Sequence, residues 1–252
     1  MAGAPRALLA PEDNMLLALL SGRSATDARE ALTPVELRFG DILHAAYQAQ
    51  EYVYFPTAGI VSILYRMRSG ASAEIALTGK TGMVGLAAYF EGDASTVNAI
   101  VQVPGQAYRM TARKMRALML SEPTFRSVLS RYAQVVMTQM VQTAVCNRYH
   151  STEQQLARWI LHSIDLAESN EIRMTQQLLA EILGVRREGI SAVANRLRAN
   201  GIIDYGRGEI RILQRANLER IVCECYGVVV EETARLLPEA KRRSQRGRKR
   251  GT

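Results

Sequence analysis

Between residues 174 and 213 the chain reads MTQQLLAEILGVRREGISAVANRLRANGIIDYGRGEIRIL, and its polar residues are of types that hydrogen-bond to nucleic acid. Arg carries two donors that fit guanine O6 and N7 together, Glu accepts from cytosine N4, and Ser or Asn reaches phosphate or adenine. Arg187, Glu188, Ser191 and Asn195 share one side of a predicted helix whose buried stripe is Ile190, Val193 and Leu197. Such chemistry needs a rigid element to present it, and the flanking residues supply one. Thr175 is a suitable N-cap for a preceding helix with Leu178, Leu179 and Ile182 turned inward, and Gly184 stands where a tight turn needs positive φ. Asn200 and Gly201 stop the second helix, Ile202 and Ile203 begin a strand, Tyr205-Gly206-Arg207-Gly208 turns, and Glu209–Leu213 returns. Helix, turn, helix and hairpin in that order predict a winged helix-turn-helix on double-stranded DNA, with Thr175, Gln176, Arg186 and Arg207 as further candidate contacts.

Upstream, the elements that must carry this module have a different texture. From about Arg38 to Met110, short apolar or alternating runs (EYVYF, IVSILYRM, AEIALTG, MVGLAAYF, NAIVQV, QAYRM) are punctuated by Pro56, Gly59, Gly70, Gly79, Gly82, Gly92 and Gly105. That spacing predicts an antiparallel β-roll with turns at those residues. The stretch DNMLLALLSGRSATDAREAL reads as helical and is expected to cap one end of the roll. After Pro123, no Gly or Pro interrupts Thr124 to Arg148, and Phe125, Val128, Leu129, Tyr132, Val136, Met140 and Ala144 recur at three- and four-residue spacing. One long helix follows, of about 37 Å at 1.5 Å per residue. Val135, Met137, Val141 and Val145 widen its apolar surface, as a helix covered on two sides requires. A second copy of the chain is therefore expected against it, with Phe125, Leu129, Tyr132, Val136, Met140 and Ala144 at the interface. Ser151 and Gln154 have capping-box form and predict another helix, with Leu156, Trp159, Ile160 and Ile164 buried.

Charge and composition narrow the class. The 252 residues include 32 Lys+Arg, 24 Asp+Glu and 48% hydrophobic residues, which argues against global disorder. Residues 241–252 hold seven basic residues and no acidic one, as a mobile phosphate-contacting tail would. No apolar run approaches the roughly 20 residues of a membrane span. The N-terminus lacks a sustained apolar segment, and three Cys cannot complete a disulfide framework, so a reducing cytoplasm is expected. No Gly-rich phosphate loop, nucleophile elbow or HExxH is present, and no enzyme is expected. A metal centre is not expected either. Cys223-Glu224-Cys225 is shorter than a CxxC pair, and His44, His150 and His162 show no second ligand at useful spacing. Iron–sulfur and haem sensing are set aside with it.

The chain resembles the Crp/Fnr family of bacterial transcription regulators. TQQLLAEILGVRREGISAVANRLRANGII is similar to the family's helix-turn-helix, and FGDILHAAYQAQEYVYFPTAGIVS with GKTGMVGLAAYFEG resembles its cyclic-nucleotide-binding-like roll. The resemblance covers roughly residues 15–225. It implies an α+β chain: an effector-like β-roll (1–123), a dimerisation helix (124–148), a winged helix-turn-helix (149–236) and a basic tail (237–252). It also implies a homodimer on a palindromic operator, RNA polymerase as a partner, and Arg187 and Glu188 as the base-reading pair. Ala192 stands where the catabolite activator of the family carries an Arg, so base readout should differ. Members that bind cyclic AMP hold the ribose with a Glu after a Gly and the phosphate with an Arg before Ser or Thr. The matching positions here read Gly85-Leu86 and Ser95-Thr96, with Met140 also assigned to the pocket. A phosphate without its cation forfeits roughly 1.5–3 kcal/mol, so cyclic AMP is not the expected effector, and an unidentified small molecule is left open. The alternative is an architectural protein that binds DNA largely without sequence preference.

Overall fold

The computed structural model describes residues 8–238. A 3-10 turn at Pro11–Asp13 and two short helices, α1 (Met15–Ala18) and α2 (Gly22–Glu30), precede the roll, so the predicted helical stretch breaks at Leu19–Ser21. Asn14 explains the start of α1. Its Oδ1 accepts from the Leu16 and Leu17 amides, and its Nδ2 donates to the Pro56 and Gly82 carbonyls at 2.8 Å each. Leu16 and Leu17 are thereby pinned beneath the roll with Val53, Phe55 and Met83.

Five antiparallel strands form the roll: β1 (Thr33–Leu37), β2 (Ile42–His44), β3 (Tyr52–Arg66), β4 (Ser72–Thr78) and β5 (Asn98–Thr111). Their order is β1-β5-β3-β4, with β2 also on β5. Pro56, Gly59 and Gly105 do not make the turns expected of them, because β3 and β5 run through them with shifted register. The shifts are bulges that bend a long ribbon into a roll. A Cβ on Gly105 would stand 2.2 Å from the Ala58 carbonyl oxygen, so two backbones cross here closer than any side chain allows. The turn expected at Gly70 is present, closed by the Met67–Ala71 hydrogen bond.

A short α3 (Leu86–Tyr89) interrupts the roll, and α4 (Ala112–Ser121) leads into α5 (Pro123–Tyr149), a single helix of 27 residues. α6 (Thr152–Ala167) begins at the predicted capping box, in which Ser151 Oγ accepts from the Gln154 amide and Gln154 Oε1 accepts from the Ser151 amide. Beyond it lie β6 (Glu171–Arg173), α7 (Gln176–Leu183), α8 (Arg187–Ala199), β7 (Ile203–Gly206), β8 (Glu209–Ile212), α9 (Arg215–Ile221) and α10 (Glu224–Leu236). The wing is a three-stranded sheet, β6-β8-β7, one strand wider than the predicted hairpin. One core joins Trp159, Ile160, Leu179, Ile182, Ile190 and Leu197 to Ile60, Leu64 and Leu77 of the roll.

Two expectations move. Phe125, Leu129, Tyr132 and Val136 are buried in the chain's own roll cluster with Val53, Phe55 and Met110, so they are core residues and not the surface of α5. The exposed apolar residues of α5 are instead Met137, Val141, Val145 and Tyr149, each four residues from the last, with Ala144 exposed beside them. Met140 is half-buried against the roll cluster. Second, α10 leaves the winged domain and runs back along α5, where Gln134 donates to Glu232 and Arg131 to the Leu236 carbonyl. Leu237, expected to open the tail, is fully buried. The basic run at 241–252 lies outside the described residues.

Candidate nucleic-acid interface

Thr175 caps α7 as its position predicts: Oγ1 accepts from the Leu178 amide, leaving the hydroxyl proton free to donate outward. Gly184 ends α7 at φ 66°, which redirects the chain into α8 within three residues. Ser191 Oγ donates to Gln176 Oε1, so two of the expected contact residues first set the angle between the helices. The Gln176 side-chain amide remains a donor.

The start of α8 is the chemically distinctive surface. Arg186, Arg187, Glu188 and Asn195 are exposed, and their side chains make no hydrogen bond or ion pair with any described residue. Nearby arginines differ: Arg196 pairs with Glu153 at 2.9 Å, Arg198 with Asp204 at 3.7 Å, and Arg211 with Glu171. The fold therefore neutralises the back of the module and leaves its leading edge positive. Arg207 sits at the wing tip with φ 54°, followed by Gly208 at 76°, between the paired residues Gly206 and Glu209. Two consecutive left-handed residues make the tight primed turn that hairpins favour. The Gly208 carbonyl accepts from the Met174 amide at 2.7 Å, which fixes the tip beside Thr175. The start of α8, the Thr175 hydroxyl and the wing-tip Arg207 are all exposed, and groups of these types suit a groove and its flanking phosphates.

Two family models match the chain: a cyclic nucleotide-binding domain over residues 34–122 and a Crp-like helix-turn-helix domain over residues 154–221. Together they account for more than half of it. The chain belongs to the Crp/Fnr family of DNA-binding transcription regulators. Solved Crp/Fnr structures share its fold at low identity. A transcriptional regulator of this family from Eubacterium rectale is 16% identical, with a TM-score of 0.65 over 82% of this chain and 96% of that one. FixK2 from Bradyrhizobium japonicum is 16% identical, at 0.64 over 76% and 98%. The c-di-GMP responsive global regulator CLP of Xanthomonas campestris is 13% identical, at 0.60 over 75% and 97%. No curated protein matches the sequence. Among the described residues, no helix is long and apolar enough to cross a membrane.

In the Crp/Fnr roll the expected effector residues occupy separate surroundings. Gly85 has φ 108°, and a Cβ there would meet Val53 Cγ1 at 2.8 Å, so the position demands glycine. Leu86 packs on the apolar cluster around Val53 and Phe55, as does Met140. Ser95 and Thr96 lie in the loop before β5, where Ser95 Oγ accepts from the Val97 amide and Thr96 is exposed. His44 lies against Gly85 and Tyr54, and burial holds its pKa below the usual histidine value.

One grouping escaped the sequence reading. Cys146, His150, Cys223 and Cys225 converge where α5 ends and α10 begins. The available signal was Cys146-x-x-x-His150, two metal-ligating types one helical turn apart.

Proposed function

We propose that this Crp/Fnr protein is a sequence-specific regulator that binds a palindromic operator as a homodimer and is not controlled by cyclic AMP. The observation that carries the reading is the set of unpaired side chains Arg186, Arg187, Glu188 and Asn195 at the start of α8, flanked by Arg207 on the wing. Removed from water by DNA, such groups are stable only against complementary base edges and phosphates. Thr175, Gln176 and Ser191 set and flank that surface.

Dimerisation rests on α5. Met137 and Val141 are 59% and 58% exposed and Tyr149 is 76% exposed, an apolar stripe about three turns long that a two-fold axis would cover with its own copy. On this reading the roll up to residue 123 is the sensor, 124–148 the dimerisation helix and the winged module the reader, with RNA polymerase as the downstream partner. Against cyclic AMP stands the chemistry of Leu86 and Ser95-Thr96, which offer the ribose no carboxylate and the cyclic phosphate no cation.

Competition binding tests the reading. A labelled operator obtained by selection should resist excess random DNA by at least about 10³-fold, at two chains per site. Equal competition by random DNA would favour the architectural alternative instead.

A further inference from the structure

We propose that Cys146, His150, Cys223 and Cys225 form a tetrahedral site for one thiophilic divalent ion of the zinc type. The four ligand atoms lie within 4.8 Å of one another. With Zn–S near 2.3 Å and Zn–N near 2.0–2.1 Å, tetrahedral geometry separates two sulfurs by about 3.8 Å and a sulfur from a nitrogen by about 3.6 Å. Cys146 Sγ and Cys223 Sγ are 3.6 Å apart, and Cys225 Sγ and His150 Nδ1 are 3.6 Å apart. A dimension set by the ion's own bonds is thus already present in the protein. A [4Fe–4S] cluster spreads four thiolates over four irons and a [2Fe–2S] cluster spreads two pairs over two irons, so four donors all within 4.8 Å of one another suit a single ion.

Independent features support a ligand at this point. His150 turns Nδ1 toward the thiols and Nε2 toward Glu224, whose Oε2 is 3.3 Å away. A ligating histidine ordinarily donates its other N–H to a carboxylate in this way, which fixes the tautomer. Glu224 lies between the two cysteines of Cys223-Glu224-Cys225, so that short spacing places two thiolates and the carboxylate behind the histidine on one helix start. Cys223 is the N-cap residue of α10. Gln155 Nε2 donates to the His150 carbonyl at 3.0 Å and contacts the Cys146 carbonyl at 3.4 Å, holding the end of α5 in place.

Charge balance points the same way. Three thiolates around a divalent ion leave one net negative charge. Arg158 is buried beside them; its Nη1 donates to Thr143, and its Nε has no hydrogen-bond partner. No carboxylate among the described residues lies within 4 Å of it. A buried cation without an ion-pair partner is costly, and an anionic metal–thiolate centre would supply one.

The site spans the α5–α6 junction, since His150 caps α5 and Ser151 caps α6, and it ties that junction to the start of α10. A bound ion would fix the direction in which the winged domain leaves the long helix.

The test uses the full chain, purified under reducing conditions. Elemental analysis should find one zinc per chain, and cobalt(II) loading should give the intense visible bands of a tetrahedral thiolate site. Cys223→Ser and Cys225→Ser should each abolish those bands. Because either variant is able to destabilise the fold, Glu224→Gln provides the milder probe: circular dichroism unchanged, one ion per chain, cobalt affinity weakened 10- to 100-fold. Substoichiometric zinc with an octahedral cobalt spectrum, or a Cys146–Cys223 disulfide in freshly isolated protein, would overturn the proposal. So would wild-type cobalt affinity in Glu224→Gln. None of these results depends on DNA binding, so the site and the proposed function stand or fall separately.

Discussion

Glu74 sits in the seam between the β-roll and the winged domain with its carboxyl out of water. It accepts from Ser62 Oγ and from Trp159 Nε1 of α6, the latter at 3.1 Å. Burial outweighs these donors and the nearby Arg158 charge, and pushes its pKa up to about 8. The folded chain therefore holds a proton that the unfolded chain releases above about 4.5. Stability should fall as pH rises from about 5 to 8, by at most about 1.4 kcal/mol per pH unit. His44 and His162, lowered by burial and in the second case to about 3, act in the opposite sense below about pH 6.5. Urea titrations of wild type and Glu74→Gln across this range isolate Glu74, since the histidine contributions cancel. Equal slopes for the two would show that Glu74 is ionised in the fold. At Gly105 the constraint is steric: Gly105→Ala should cost about 1–3 kcal/mol, read by thermal or urea unfolding, because neither crossing backbone is free to yield.

Among the elements, α5 shows where a sequence pattern stops being informative. Its periodicity located the helix to within a residue or two, yet the apolar positions did not reveal which face belongs to the roll and which is left over. Phe125, Leu129 and Tyr132 are as hydrophobic as Met137 and Val141, and only the tertiary fold distinguishes them. Val141→Asp should therefore leave folding intact and shift the chain to monomers in sedimentation at micromolar concentration. Persistent dimers would place the interface elsewhere. Caps and turns were more legible: Ser151 with Gln154, Thr175, and Gly184 were each readable because their chemistry is local. The bulges at Gly59 and Gly105 were read as turns, because a glycine that permits positive φ and one that permits close approach are the same letter in the sequence. β6 was missed because three residues, Glu171–Arg173, are too few to show alternation.

At the scale of the whole molecule, the roll and the winged domain share one core through Ile60, Leu64 and Leu77 against Trp159, Leu179 and Ile182, and α10 returns along α5. The Cys–His grouping arises only from that return, which brings residues about 75 positions apart to one point. Local spacing shows only its two halves, Cys146-x-x-x-His150 and Cys223-Glu224-Cys225. The basic run at 241–252 makes a separate prediction from charge alone. Its deletion should lower affinity for operator and random DNA by similar factors and flatten the salt dependence, by about 0.9 in log–log slope for each phosphate that the tail would have neutralised. An unchanged slope would exclude a DNA-contacting role for it. Base reading by the start of α8 is open to binding-site selection with wild type and Arg187→Ala. Wild type should select a two-fold symmetric motif, and the variant should lose preference at one symmetric pair of positions, worth roughly 1–3 kcal/mol for each base pair read. Identical base profiles for the two proteins, or no preference in either, would contradict it.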